Sequence, residues 1–447
     1  RRSTEVLRQF LDALFQHGRI QSEICGEPLY QAIAEPRRYP LATWISRFAP
    51  DAYDFLILDE AHELAGNGSS AQSHAAERLL NQNVQSLLLT GSLANGYADS
   101  VFSSIRAVSP AFRRAFARDD RQRFIDRYGY RKQIVQTKDD KGQVVAFGTC
   151  TDRVQTTARN VGVAPGVMPL FLLEHLLPSS VTLQKEDLRI GIPPTSDRTA
   201  TVPMMPEQAG NYKYMLSALL SEIKRTRFIP GQAGKLWGAM AHLPSYLDRA
   251  CGGDYVIQWP ANVPDIGGHV VCSVPGIDPK VILPKERWML DTVAEELAEG
   301  RNVLVFGWHA DVLPRLTSLF QQAGMDAIYL EANKVPTGKR QAWIDANVVR
   351  PNKRVLVVNP VTVQTGLNNL VHFATAIWAE NPACNPTVLR QAQGRIDRIG
   401  QTRPTRFLFP MYESSAQEQL HRLLLHKVGV SQGVDGLDPE AALQHPT

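Results

Sequence analysis

QAQGRIDRIGQ, residues 391–401, sets Arg395 and Arg398 three positions apart beside Gly394, between Gln391 and Gln401. Residues three apart on a helix share a face. Two guanidiniums on one face can grip a phosphate that gains charge during transfer. Far upstream, FLILDEAHE at 55–63 ends an apolar run in Asp59 and Glu60. A carboxylate at a strand's end can hold Mg²⁺ directly or through water, while its neighbour orients or deprotonates the attacking water. One segment offers metal and water chemistry, and the other offers phosphate clamps.

Smaller signals flank these two. His62 completes DEAH and is placed to link the acids to the next strand. LLLTGS at 87–92 brings the hydroxyls of Thr90 and Ser92, and Gly91 allows close backbone approach. In VQTGLNNL at 363–370, Gly366 permits the backbone to near a phosphate, and Thr365, Asn368 and Asn369 can reach a nucleotide or a sugar–phosphate chain. Gly394 inside a helical segment costs about 1 kcal/mol against Ala and needs a reason.

These residues must be positioned by strands and helices. Short apolar runs at Val303–Phe306, Ala327–Leu330, Arg354–Val358, Ala374–Trp378 and Arg406–Pro410 read as strands covered on both faces. Helical patterns near 309–323, 338–349, 387–398 and 415–427 alternate with them. That alternation implies βαβ units and a parallel sheet, with ligands expected at the carboxyl ends of its strands. Phe55–Leu58 and Leu87–Leu89 read as buried parallel strands of an N-terminal half. From 97 to 180 the pattern reads as largely helical, KDDKGQ at 138–143 as a polar turn, and 185–206 as extended. A helix is expected over 206–225, with Pro206 in its first turn. The Gly- and Pro-rich stretch 228–285 reads as irregular between short helices.

The chain has 447 residues, too many for one ordinary core. It is 44% hydrophobic and 21% charged, which excludes disorder as its main state. No apolar stretch approaches the roughly 20 residues that cross a bilayer, so no membrane partner is expected. Cys25, Cys150, Cys251, Cys272 and Cys384 form no C-x-x-C pair, which argues against a zinc site and a disulfide framework and for a reducing, cytoplasmic setting. The Ala- and Arg-rich texture suggests a bacterial or mobile-element origin. Between Arg106 and Lys132 nine basic residues, including Arg113, Arg114 and Arg127, outnumber three acids, with Tyr128 and Tyr130 interleaved. Such a run is either a solvated helical face or a track for a phosphate backbone.

Taken together, the segments resemble the Swi/Snf family of superfamily-two motor ATPases, over residues from about 40 to 430. DEAH resembles the family's motif II, TGS its motif III, TGLNNL its motif V, and QAQGRIDRIGQ its motif VI; RIGQ after QAxGR separates this family from generic DEAD or DEAH helicases. The resemblance implies an α/β fold with two RecA-like parallel-sheet lobes, the first incomplete, and helical insertions. The expected organisation is a partial N-terminal lobe over 1–100, helical protrusions and a linker over 101–280, a C-terminal lobe over 281–415 and a helix and tail over 416–447. It implies ATP and Mg²⁺ as cofactors and double-stranded DNA as partner, with other protein subunits of a larger complex a further expectation. Asp59 would hold Mg²⁺, Glu60 would position the hydrolytic water, and Arg395 and Arg398 would be arginine fingers supported by Gln391.

The chain departs from the family in places. It has no G-x-x-x-x-G-K-[ST] phosphate-binding loop; GQAGKL at 231–236 and PTGKRQ at 336–341 lack the spacing and the hydroxyl. That loop is expected upstream of Arg1 or not at all, and the chain alone is expected to be inactive without it. Ser92 stands where the family has Thr, followed by Leu93 and not Pro. The resulting expectation is the C-terminal part of an ATP-driven DNA translocase. The alternatives are an inactive DNA-binding or scaffolding module derived from such a motor, and a strand-separating helicase.

Overall fold

The structure is a computed structural model. It describes residues 19–21, 28–31, 40–62, 71–80, 82, 85–138, 144–147, 156–183, 187, 191–226, 236–259, 269–363, 367–380 and 384–436. The chain divides into two compact units, one of Arg1–Asp59 with Gly66–Leu88, the other of Glu60–Ala65 with Leu89–Thr447.

In the first unit, β1 (Arg19–Gln21) and β2 (Pro28–Gln31) pair antiparallel. After helix α1 (Leu41–Phe48), strand β3 (Phe55–Leu58) runs parallel to β4 (Gln85–Leu88), with α2 (Ala71–Leu80) as the crossover. The expected strand at Leu87–Leu89 thus begins two residues earlier. Tyr53 donates to Gln82 Oε1 at 2.8 Å across the base of the pair. Asp59 follows the last residue of β3.

The second unit is built on a six-stranded sheet. Its strands are β8 (Thr195–Val202), β11 (Val303–Phe306), β12 (Ala327–Tyr329), β13 (Val355–Val358), β14 (Thr375–Trp378) and β15 (Thr405–Tyr412). Their order is β12-β13-β11-β14-β15-β8, and every pairing is parallel. Alternate residues face opposite sides. Val303, Val305, Val355, Val357 and Ile377 pack on helices Pro284–Ala298 and Val312–Gln322. Leu304, Phe306, Leu356, Val358, Ala376 and Trp378 pack on helices Pro386–Gln393 and Ala416–Val434. Helices on both faces explain why these strands read as unbroken apolar runs.

Two stretches differ from the sequence reading. The segment 97–180 is helical only at first, through Phe102–Val108, Pro110–Ala115 and Arg121–Tyr128. It then forms an antiparallel sheet of β5 (Gly129–Lys138), β6 (Val144–Phe147) and β7 (Thr156–Val167) in the order β6-β5-β7. Charged and glycine residues interrupt the alternation that would have marked these strands; of the polar turn at 138–143, residues 139–143 lie outside the described residues. Within 228–285, β9 (Tyr255–Trp259) and β10 (His269–Val274) form an antiparallel pair of β-branched and aromatic residues, packed on the helix Pro206–Thr226. The extended stretch 185–206 supplies β8, whose polar TSDRTATV sequence suits the sheet's edge.

Candidate functional site

The expected helix 387–398 is shorter, Pro386–Gln393. Asn385 starts it by accepting from the Thr387 and Val388 amides, with Pro386 in the first turn. Gly394 caps its end at φ −64°, and its amide donates to Arg390 O at 2.8 Å. A Cβ here would stand 3.2 Å from that carbonyl, a tight contact at the helix exit, so Gly394 lies past the helix's last residue and not inside it. Arg395 and Arg398 therefore lie on the turn after the helix and not along its face. Gln401 holds this turn: its amide group donates to Phe373 O at 2.9 Å and to Ile396 O at 3.2 Å, and its oxygen accepts from the amides of Thr402 and Arg403.

The helix runs back along the sheet after β14, so its last turn returns to the edge where the strands begin. The arginine-bearing turn thus sits at the strands' amino ends, opposite to the edge expected from sequence. Asp197 near the start of β8 receives Gln393 Nε2 at 3.4 Å, which fixes the location. A pocket of about 580 Å³ opens there, within the size range of small-molecule sites. Its lining includes Glu60, Gly91, Ser92, Gln391, Arg395 and Arg398.

Glu60 adopts φ +52°, the left-handed region rarely used by a residue with a side chain. Its Oε1 stands 3.7 Å from Arg395 Nη2, and its Oε2 stands 3.3 Å from His62 Nδ1. Thr90 Oγ1 lies 3.3 Å from the same ring nitrogen, and Gln391 Nε2 approaches His62 Nε2 at 2.5 Å. A proton on Nδ1 satisfies all of these contacts: the ring donates toward Glu60 and Thr90 and accepts from Gln391. Thr90 in turn donates to Ser92 O at 2.9 Å and accepts from the Ser92 amide at 3.2 Å, folding the TGS turn on itself. Burial draws the Arg395 guanidinium below its usual range and Arg398 adds to this, while Glu60 opposes it.

Arg398 donates to Asn368 Oδ1 at 2.6 Å and to Leu367 O at 3.3 Å, which aims it along the pocket rim. Asn369 is turned inward to Gln341 O and Asp345. Thr365 and Gly366 lie outside the described residues. Asp59 belongs to the first unit. The basic run is apart from the pocket and largely engaged locally. Arg113 caps the preceding helix by donating to Ala107 O at 2.7 Å and Arg106 O at 3.2 Å. Arg127 pairs with Glu174 at 3.3 Å and lies over the Tyr128 ring, whereas Arg114 is exposed.

Sequence reasoning missed Arg390, Ser431 and Asp435. Arg390 donates to Gly91 O at 2.9 Å, to Ser431 Oγ at 2.9 Å and to Asp435. Asp435 also accepts from the Leu93 amide at 3.1 Å, and Ser431 donates to Ala94 O at 2.6 Å. Burial raises the Asp435 carboxyl, with Arg390 and the Leu93 amide opposing. The one sequence signal for this clamp is Arg390 itself, next to Gln391.

The fold and site define an α/β protein whose second unit carries an all-parallel six-stranded sheet and an arginine-lined pocket of about 580 Å³, entered by one strained glutamate. Among solved structures it is similar to the C-terminal part of the Fun30 ATPase domain, over 55% of this chain and 96% of that chain, at 16% identity and a TM-score of 0.40. It is also similar to the SWI2/SNF2 ATPase core of Sulfolobus solfataricus in complex with dsDNA, over 86% of this chain and 69% of that chain, at 17% identity and a TM-score of 0.39. No family model matches the chain, and no curated protein matches it. Among the described residues, no helix is long and apolar enough to cross a membrane.

Proposed function

We propose that this chain is the C-terminal part of an ATP-dependent double-stranded-DNA translocase of the Swi/Snf type, working in the cytoplasm. The observation that carries this reading is the approach of Glu60 to Arg395 within one pocket. A carboxylate that manages water and a guanidinium that takes charge from a phosphate are the two halves of phosphoryl-transfer chemistry.

In this reading Arg395 and Arg398 hold phosphate oxygens, and Asn368 keeps Arg398 aimed. Glu60 orients the attacking water and accepts its proton. His62 fixes the Glu60 carboxylate, and Gln391, one turn before Arg395, fixes His62. A pull on Arg395 is thereby felt at Thr90 and Ser92 through hydrogen bonds and the short helix exit from Gln391 to Arg395. Mg²⁺, when bound with ATP, would offset phosphate charge, and Asp59 is the residue assigned to hold it. Thr365, Asn368 and the exposed Arg114 are assigned to the DNA backbone, with Arg113 and Arg127 of the basic run held in local contacts, so binding should tolerate sequence changes and weaken with salt.

The test is ATP hydrolysis by the protein in its full natural length, with and without duplex DNA. DNA-stimulated turnover supports the motor. ATP binding with no turnover under any DNA condition would leave a nucleotide-dependent scaffold instead.

A further inference from the structure

Lys427, Ser431 and the C-cap Asp435 stand four apart along the C-terminal helix, Ala416–Val434. Residues four apart share a helix face. That face meets the loop 91–97, which leads away from the TGS turn, one step at a time. Asp435 accepts from the Leu93 amide at 3.1 Å, and Ser431 donates to Ala94 O at 2.6 Å. Lys427 backs onto Gly96, where a Cβ would stand 2.7 Å from Lys427 Cβ, and its ammonium lies 4.8 Å from the centre of the Tyr97 ring. Gly96 has φ +90°, so both the space and the backbone call for glycine. At the loop's other end Arg390 donates to Gly91 O and also to Ser431 and Asp435.

The loop is thus held at four of its residues by a helix from the far end of the chain. The next residue toward the site is Thr90, whose hydroxyl lies 3.3 Å from His62 Nδ1, and the same nitrogen lies 3.3 Å from Glu60. Lys427, Ser431 and Asp435 do not line the pocket. Their route to it runs through the loop and His62.

We propose that this face of the C-terminal helix is a splint for the loop, and that Ser431 and Asp435 are positioning residues for Glu60. This rests on the nucleotide reading above and adds a control point to it. Lifting the helix end off the loop slows the attack of water and leaves nucleotide binding alone.

The test is the kcat and KM of DNA-stimulated ATP hydrolysis by the protein in its full natural length, with ADP affinity from calorimetry. Ser431→Ala and Asp435→Ala should each lower kcat about tenfold, short of the ~10²-fold that a 1 Å misplacement costs, with KM and ADP affinity within about twofold of wild type. Asp435→Asn keeps an acceptor for the Leu93 amide and should recover most of the rate. In a Glu60→Gln background the two alanine changes should alter the residual rate little, since the group they position no longer acts. A change that only lowers the folded fraction would lose the same factor in both backgrounds. Equal losses in the two backgrounds, a wild-type kcat in both alanine variants, or a loss confined to KM overturns the splint. Ser431→Ala, which removes a single hydroxyl, decides the matter if Asp435→Ala fails to fold. Wild-type protein that hydrolyses no ATP with or without DNA defeats the nucleotide reading and the splint with it, a result distinct from variants that turn over as fast as wild type.

Discussion

Glu60 Oε1 lies 3.7 Å from Arg395 Nη2, although the two residues come from opposite ends of the chain. The pair is loose and partly solvated, with Glu60 at 38% exposure and Arg395 at 17%. A phosphate entering the pocket would compete with Glu60 for Arg395 on favourable terms, since guanidinium–phosphate pairing is bidentate and doubly charged. The carboxylate would then be released toward water. Its left-handed backbone is the kind of local strain that surrounding structure must hold in place.

Glu60→Gln follows from that geometry. The amide keeps the shape but neither accepts a proton well nor opposes Arg395. Turnover should fall by roughly 10²–10⁴-fold, the usual worth of a general base. Nucleotide affinity should hold or rise, because a competing negative charge has gone. The paired measurements are DNA-stimulated ATPase rate and ADP affinity; a fast mutant removes Glu60 from its assigned role.

Arg398 is aimed by Asn368 at 2.6 Å. Arg398→Ala should lower turnover at least ~100-fold. Asn368→Ala should lower it less, because the guanidinium remains but wanders. If Asn368→Ala proves as damaging as Arg398→Ala, Asn368 itself touches the ligand. Steady-state ATPase rates of the two variants and their double mutant decide this.

What was legible in the sequence follows burial. Val303–Phe306, Val355–Val358 and Thr375–Trp378 are covered on both faces, so each reads as a continuous apolar run. β8 was not assigned to the sheet, because an edge strand written TSDRTATV lacks that signature. The antiparallel strands β5 and β7 hid behind charged and glycine residues. At the site, Glu60, Arg395 and Gln391 were readable because their types and spacing imply chemistry. Arg390, Ser431 and Asp435 were not. Their meaning arises only when the C-terminal helix meets the loop at Gly91–Ala94, a contact between distant segments that no local period announces. Gln401, which in the sequence only brackets the arginine segment, is the knot that ties the turn.

The Arg390–Asp435 pair is mostly withdrawn from water, at 18% and 12% exposure. Removing one partner strands the other. Arg390→Met should cost about 3 kcal/mol in chemical denaturation, at the lower end for broken buried pairs. Replacing both, with Asp435→Leu as well, should cost less than the two single changes summed. Strict additivity would mean that the two residues act independently despite their contact.

Stability should respond to pH through two buried groups with opposite slopes. Burial pushes the Asp197 carboxyl up to about 7; Gln393 opposes the shift and Asp397 reinforces it. Its native value exceeds its unfolded value, so the folded state holds the extra proton between them. That contribution is fully present below about pH 4 and is lost as pH rises through about 7. Asp197→Asn should therefore raise the melting temperature above pH 8 and change little near pH 4. Burial lowers His421 to about 4, and its ring nitrogens have no hydrogen-bond partner beside Phe409. Here the unfolded chain binds the extra proton, so stability falls as pH drops from about 6.5 toward 4. His421→Leu should stabilise more at pH 5 than at pH 8. Thermal melts of both variants across this range check the signs. A His421→Leu gain that is equal at both pH values would show that packing, and not protonation, sets the behaviour of that site.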